Sequence, residues 1–212
     1  MPVTAKICGL STAQSIDAAI TGGAAHIGFM FFAPSPRNLA LGQAAALGAR
    51  VPAHVGRVGV FVDPDDALID AAIAAAGLTA LQLHKVNPAR AAALGARTGL
   101  GIWGVIAVRT RDDLNAARQF TGAAQRILYD AKTPEGSTLP GGMGVRFDWA
   151  LLDGFRHPLP WALSGGLDPV VVADAVRQTR AELVDVSSGV ENAPGIKDVD
   201  KIAAFLKATR LL

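Results

Sequence analysis

The chain has 212 residues, half of them hydrophobic and 18% charged, with a formal net charge of +2 and one cysteine. Its Lys and Arg are scattered and only 6% of its residues are aromatic, which argues against a nucleic-acid groove, a basic membrane-binding patch or a base-stacking platform. A lone cysteine makes neither an intramolecular disulfide nor a cysteine-based zinc site, and with no bilayer-length apolar run and no apolar leader behind a basic head the expectation is a soluble, cytoplasmic protein in a reducing compartment.

Short β-branched runs alternate with longer Ala-rich periodic segments. In chain order the strand-like runs are "VTAKICGL", "HIGFMFF", "GRVGVFV", "ALQLH", "GIWGVIAV", "QRILYD", "PWALSGG" and "ELVDVSSG". Several are apolar on both faces, as parallel strands covered by helices are. Helix-like segments begin near Thr12, Leu41, Pro64, Pro88, Arg111, Phe147, Asp168 and Asp198. In "VDPDDALIDAAIAAAGL", Asp63 reads as the N-cap, Pro64 as the first helical residue and Gly77 as the stop. Leu68, Ile69, Ala72, Ile73 and Ala76 form its apolar stripe. "LDPVVVADAVRQ" repeats the arrangement with Asp168 and Pro169. Eight β-then-α units without a linker predict a closed (β/α)₈ TIM barrel of the α/β class, one domain over residues 1–212. An open doubly wound sheet is the structural rival, and eight evenly spaced units favour closure. "DAKTPEGSTLPGGMGVRFDW", after the sixth strand, is the longest irregular stretch.

Active sites of such barrels lie at the C-terminal ends of the strands. That rule brings Cys8 (strand one), Arg37 (the loop after strand two), His84 (strand four), Asp130 (strand six) and Asp185 (strand eight) to one mouth. Each has an ordinary alternative: a buried thiol, a solvated loop charge, a satisfied core histidine, a loop cap. Their coincidence at one end is what favours a site. "LSGGLDP" places Gly165 and Gly166 after strand seven, and "DVSSGVE" places Ser187, Ser188 and Gly189 after strand eight. Glycines let backbone N–H groups approach an anion, so the two loops predict a phosphate site.

"KICGLS", "GFMFFAPSPRNLA", "GVFVD", "LQLH", "LYDAK", "FDWALL", "LSGGLDP" and "VDVSSGVENAPGIKD" together resemble the phosphoribosylanthranilate isomerase family of tryptophan biosynthesis, across nearly the whole chain. The resemblance implies an Amadori rearrangement of N-(5′-phosphoribosyl)anthranilate, with Cys8 as general base and Asp130 as general acid. It implies Arg37, and with it Asp185, on the substrate, the anthranilate carboxylate going to the Arg37 fork. Gly142 then joins the phosphate-binding residues. No metal or organic cofactor is implied, because the iminium is itself the electron sink. The implied partner is this small-molecule substrate, with no nucleic acid and no membrane, in a monomer or homodimer. Lys6 shares the inward face of Cys8 and either favours its thiolate or pairs with Asp185. The chain departs from the family at Met143 and Val145, in "GGMGV" where Gly-Gly-Thr-Gly-Lys is usual, and at Lys85, where Gly is usual. The alternatives are a histidine-pathway phosphosugar isomerase, whose first strand ends in Asp rather than Cys, and a barrel that binds a phosphate ligand without catalysis.

Overall fold

In the computed structural model, which describes residues 3–134, 136, 137, 139 and 141–212, eight parallel strands close on themselves in sequential order. They are β1 (Thr4–Cys8), β2 (His26–Phe31), β3 (Gly56–Val62), β4 (Ala80–His84), β5 (Gly101–Val108), β6 (Arg126–Ala131), β7 (Trp161–Leu163) and β8 (Leu183–Val186). The TIM-barrel expectation is met. The seam is the β1–β8 pair, in register with Lys6 opposite Asp185.

The two-residue period of each strand sorts its side chains. Outward residues such as Ile7, Phe29, Leu81, Leu83, Ile127, Tyr129 and Val184 join the large core under the helices. Inward residues Val58, Ala80, Trp103, Leu128, Ala162 and Leu183 fill the barrel as a separate apolar cluster. Further along the same inward rows stand Cys8, His84, Asp130 and Asp185, at the wall of an open cleft. The apolar plug therefore forms the floor of a polar mouth.

Helices α1 (Ala13–Thr21), α2 (Leu41–Gly48), α3 (Asp66–Ala76), α4 (Pro88–Thr98), α5 (Val172–Thr179) and α6 (Val199–Arg210) cover the barrel. Asp65, not Asp63, caps α3, accepting from the Leu68 N–H at 2.8 Å. The expected start shifts because Asp63 stays with the barrel rim, its N–H donating to the His84 carbonyl. Gly77 ends the helix in the left-handed region, as expected. Asp168 does cap the chain entering α5, accepting from Val170 and Val171, although regular α-helix begins only at Val172. Units five and six depart from the pattern. Their return segments, Arg111–Phe120 and Trp149–Leu152, are 3₁₀ helices. The second is a single turn capped by Asp148, too short to settle into α geometry. Between Ala131 and Trp149 no described residue lies in a helix or strand. Glu135, Thr138 and Pro140 of the expected loop over 130–149 fall outside the described residues. A small antiparallel hairpin, β9 (Glu191–Ala193) with β10 (Ile196–Lys197), follows β8 and was not expected. No described helix is long and apolar enough to cross a membrane.

Gly48 marks where α2 lies closest to α3. A β-carbon there would stand 2.5 Å from the Ala76 carbonyl oxygen. Helix propensity alone favours Ala over Gly by about 1 kcal/mol, but overpacking against backbone costs about 1–3 kcal/mol. Packing should win. Gly48→Ala is expected to lower the urea midpoint, by about 1 kcal/mol in stability, with an unchanged slope. A rise in the midpoint would show that α2 slides freely over α3.

Candidate active site

The cleft at the C-terminal end of the strands holds about 760 Å³ of space, open solvent at its mouth included. Its lining includes Cys8, Arg37, His84, Asp130, Gly142, Gly165, Gly166, Asp185, Ser187 and Ser188. Nine of the ten expected site residues, counting His84 apart, thus border one space. The tenth, Gly189, sits behind the wall, where a β-carbon would come within 1.8 Å of the Leu167 carbonyl oxygen. Only a glycine lets the loop after β8 press so closely on the loop after β7.

At the seam, Lys6 Nζ and Asp185 Oδ1 are 2.7 Å apart and both side chains are buried. Ser164 Oγ donates to the other Asp185 oxygen at 3.2 Å. Burial disfavours the Lys6 ammonium, yet Asp185, aided by Cys8, holds its pKa above the usual lysine range. Both Asp185 oxygens are therefore engaged within the protein.

Cys8 is buried at the end of β1. Gly28 on β2 leaves room for it, since a β-carbon there would lie 2.8 Å from Cys8 Sγ and 3.1 Å from Lys6 Nζ. Burial pushes the thiol pKa up. Lys6 and, more weakly, Lys197 pull it down without cancelling the rise. Of the two roles expected for Lys6, pairing with Asp185 is the one its geometry shows; it also favours the thiolate, but desolvation outweighs its field at the sulfur.

Asp130 lies near the end of β6. Burial, then the negative charge of Asp185, raise its pKa to about 7, against smaller opposing effects of the Ala131 N–H, Lys6 and Ser164. Gly141 covers it, a β-carbon there standing 2.6 Å from Oδ2. His84 lies nearby with Nε2 3.1 Å from Gln82 Nε2. Burial, reinforced by Lys6 and Lys85, lowers its pKa to about 4, so its ring is neutral at physiological pH. Lys85, at the position where the resembling family usually has Gly, adopts φ +56°, a left-handed conformation that explains the usual glycine.

Arg37 is buried, and its fork is occupied. Nε and Nη2 each stand 2.7 Å from a Glu191 oxygen, and Nη2 also donates to the Gly142 carbonyl. The expected bidentate grip on a ligand carboxylate through that edge is thus corrected, because Glu191 holds it. Only Nη1 is uncommitted among the described residues, and it faces Gly142. Lys197 Nζ reaches Glu191 Oε1 at 2.7 Å and the Ser187 carbonyl at 2.8 Å. The Ser187 hydroxyl in turn donates to the Cys8 carbonyl. Glu191, Lys197, Ser164 and Gln82 were not singled out from the sequence. All four lie inside the quoted motifs, but nothing local marks them, and Lys197 finds its place through the hairpin.

Gly165 and Gly166 have φ of +86° and +64°. The N–H groups of Gly165 and Gly166, on the cleft wall, donate no backbone hydrogen bond among the described residues. Glycine N–H groups of this kind are available to an anion. Met143 is half exposed at the rim, while Val145 packs against the core. No group of three or more metal-ligating side chains occurs among the described residues.

A family model described as N-(5′-phosphoribosyl)anthranilate isomerase matches residues 5–208. The chain belongs to this family. It is 52% identical to the N-(5′-phosphoribosyl)anthranilate isomerase of Zymomonas mobilis subsp. mobilis over the full length of both chains. It is 50% identical to that of Paramagnetospirillum magneticum over 99% of this chain and 98% of the other. Among solved structures, phosphoribosyl anthranilate isomerase from Thermotoga maritima matches with TM-score 0.86 and 32% identity, over 99% of this chain and 100% of that one. A phosphoribosyl anthranilate isomerase in complex with reduced 1-(o-carboxyphenylamino)-1-deoxyribulose 5-phosphate matches with TM-score 0.83 and 30% identity, over the same shares.

The raised Asp130 pKa has a stability consequence. The folded carboxyl keeps its proton to about pH 7, whereas an unfolded aspartate releases it near pH 4. Between those values the folded state binds more protons than the unfolded one, so this group makes stability fall as pH rises through the window. Asp130→Asn should therefore stabilise the protein at pH 8, on the order of 4 kcal/mol, and give no gain below pH 4. Thermal melts of both proteins at the two pH values check this. An equal effect at both would mean that Asp130 is not carrying the burial cost.

Proposed function

We propose that the protein catalyses the Amadori rearrangement of N-(5′-phosphoribosyl)anthranilate to 1-(o-carboxyphenylamino)-1-deoxyribulose 5-phosphate, a step of tryptophan biosynthesis. The observation that carries the assignment of roles is the buried pair of titratable groups at one mouth. Cys8 ends β1 and Asp130 lies near the end of β6, so they border the cleft from different sides. Family membership supports the reaction, and the polar mouth supports the residues.

The reaction needs an acid at the ribose ring oxygen and a base at C2′. Asp130, which keeps its proton to about pH 7, donates to the ring oxygen as the C1′–O bond breaks and the nitrogen lone pair forms the iminium. The Cys8 thiolate then removes the C2′ proton, and the C–H electrons flow into the iminium to give an enolamine. Tautomerisation of the enol to the ketone completes the aminoketose. No electron leaves the substrate, and the iminium supplies the sink. The phosphate binds at the clustered N–H donors of the loops after β7 and β8, where glycine permits close approach. The anthranilate carboxylate meets Nη1 of Arg37.

The two pKa directions imply reversed protonation. Asp130 ionises before Cys8 does, so the active form, with acid protonated and thiolate present, is a minority at every pH. The profile of kcat/KM against pH should still be bell-shaped. It rises as pH passes about 7 and falls above the raised thiol pKa. In Asp130→Asn the limb near neutrality and the fall at high pH should both disappear, leaving a rate that follows the thiolate. Its kcat should drop on the order of 10²–10⁴. A variant with near-native turnover and an unchanged profile removes Asp130 from the acid role and points to another group at the mouth.

Cys8→Ser tests the base. The hydroxyl is nearly isosteric but far too weakly acidic to ionise here, and burial worsens this. Turnover should fall by about 10² or more, with little change in the affinity for reduced 1-(o-carboxyphenylamino)-1-deoxyribulose 5-phosphate. Retained turnover would return Cys8 to the role of a small core residue.

A further inference from the structure

The cluster formed by Arg37, Glu191 and Lys197 is buried, with side-chain exposures of 4%, 4% and 2%. Two cations face one carboxylate, so the group carries one surplus positive charge with no other acidic partner among the described residues. A buried uncompensated charge is costly. It is tolerated where an anion arrives to neutralise it, and this cluster stands at the cleft wall through Arg37.

The direction of the surplus is fixed by geometry. Glu191 takes Nε and Nη2 of Arg37, both at 2.7 Å. The Gly142 carbonyl takes Nη2 as well, at 3.0 Å. Gly195 donates its N–H to Glu191 Oε2, and Lys197 donates to Oε1. Glu191 is therefore held by the hairpin of β9 and β10 on one side and grips Arg37 on the other. A planar guanidinium held along one edge cannot turn, and its remaining nitrogen, Nη1, points to a single place. Gly142 has φ +71°, and a β-carbon there would come within 2.7 Å of Nη1, so the loop after β6 can pass over this nitrogen only as glycine.

We propose that Glu191 is a positioning residue that aims Nη1 of Arg37 at the substrate's aromatic carboxylate, making recognition of that carboxylate depend on a side chain that never touches it. The inference rests on the carboxylate assignment of the proposed function. It adds that Arg37 recognises the anion through one nitrogen and that its selectivity comes from the grip on its far edge.

The test compares two ligands, reduced 1-(o-carboxyphenylamino)-1-deoxyribulose 5-phosphate and the same molecule without its carboxyl group. A charge-assisted hydrogen bond gives the wild-type protein a preference of roughly tenfold to a hundredfold for the first. In Glu191→Gln the guanidinium is released, and the preference should fall to within about threefold. The affinity for the ligand without carboxyl should stay near wild type, a split that a merely structural role would not produce. Arg37→Lys keeps the charge count and offers Glu191 only one nitrogen to hold, so the ammonium turns toward Glu191. It should lose the preference in the same way, and it carries the test if Glu191→Gln does not fold. A preference that survives at wild-type strength in a folded Glu191→Gln or in Arg37→Lys overturns this inference alone. A wild-type protein that does not distinguish the two ligands overturns the carboxylate assignment and this inference with it.

Discussion

The ion pair of Lys6 and Asp185 is the interaction on which the site depends. It lies inside the barrel at the seam, on the one strand pairing that joins the two ends of the sheet. As a stabiliser it has little to recommend it. Desolvating two charges costs about as much as their attraction returns, and a matched apolar pair often does better. Its worth is electrostatic. Asp185 raises the Asp130 pKa, while Lys6 lowers that of Cys8. Cys8 and Asp130 thus sense one pair with opposite net signs, and removing either partner leaves a bare buried charge beside them, at a cost of about 3–5 kcal/mol.

The mouth also trades stability for chemistry. Asp130 holds its proton because burial penalises the carboxylate, and the N–H groups of Gly165 and Gly166 donate no backbone hydrogen bond among the described residues. Apolar plugging below them restores what the mouth gives up. Val58, Trp103, Leu128 and their neighbours fill the barrel without any polar demand. The strand period delivers both from the same rows, apolar low and polar high.

Much of this was legible in the sequence, for a physical reason. Strand alternation and helix caps are local, so eight strands, the Gly77 stop and the Asp168 cap could be read residue by residue. The strand-end rule then carried Cys8, His84 and Asp130 to one place. Where the reading failed, a distant partner decided. Asp63 offers the same chemistry as Asp65, and only the His84 carbonyl draws it away from the helix. The Arg37 fork was assigned to a ligand because Glu191, more than 150 positions away, gives no sign in the sequence that it will fill it. Lys6 was correctly seen to face both Cys8 and Asp185, but which of the two it serves depends on burial, which periodicity does not measure.

Charge is arranged unevenly across the mouth, and the unevenness suits the substrate. Cations gather on the Cys8 side, where Lys6 and Lys197 both favour the thiolate. On the Asp130 side the leading charge is the carboxylate of Asp185, which favours the protonated acid. A ligand carrying phosphate and carboxylate brings negative charge that raises both pKa values on binding. For Asp130 in the proposed acid role that is an advantage, since it stabilises the proton to be donated. For Cys8 it is a handicap, and the nearby cations, including the surplus charge of the cluster around Glu191, oppose it. Under the proposed roles, the stronger influence of Lys6 at Cys8 and of Asp185 at Asp130 would let one anionic substrate help the first proton transfer without forbidding the second.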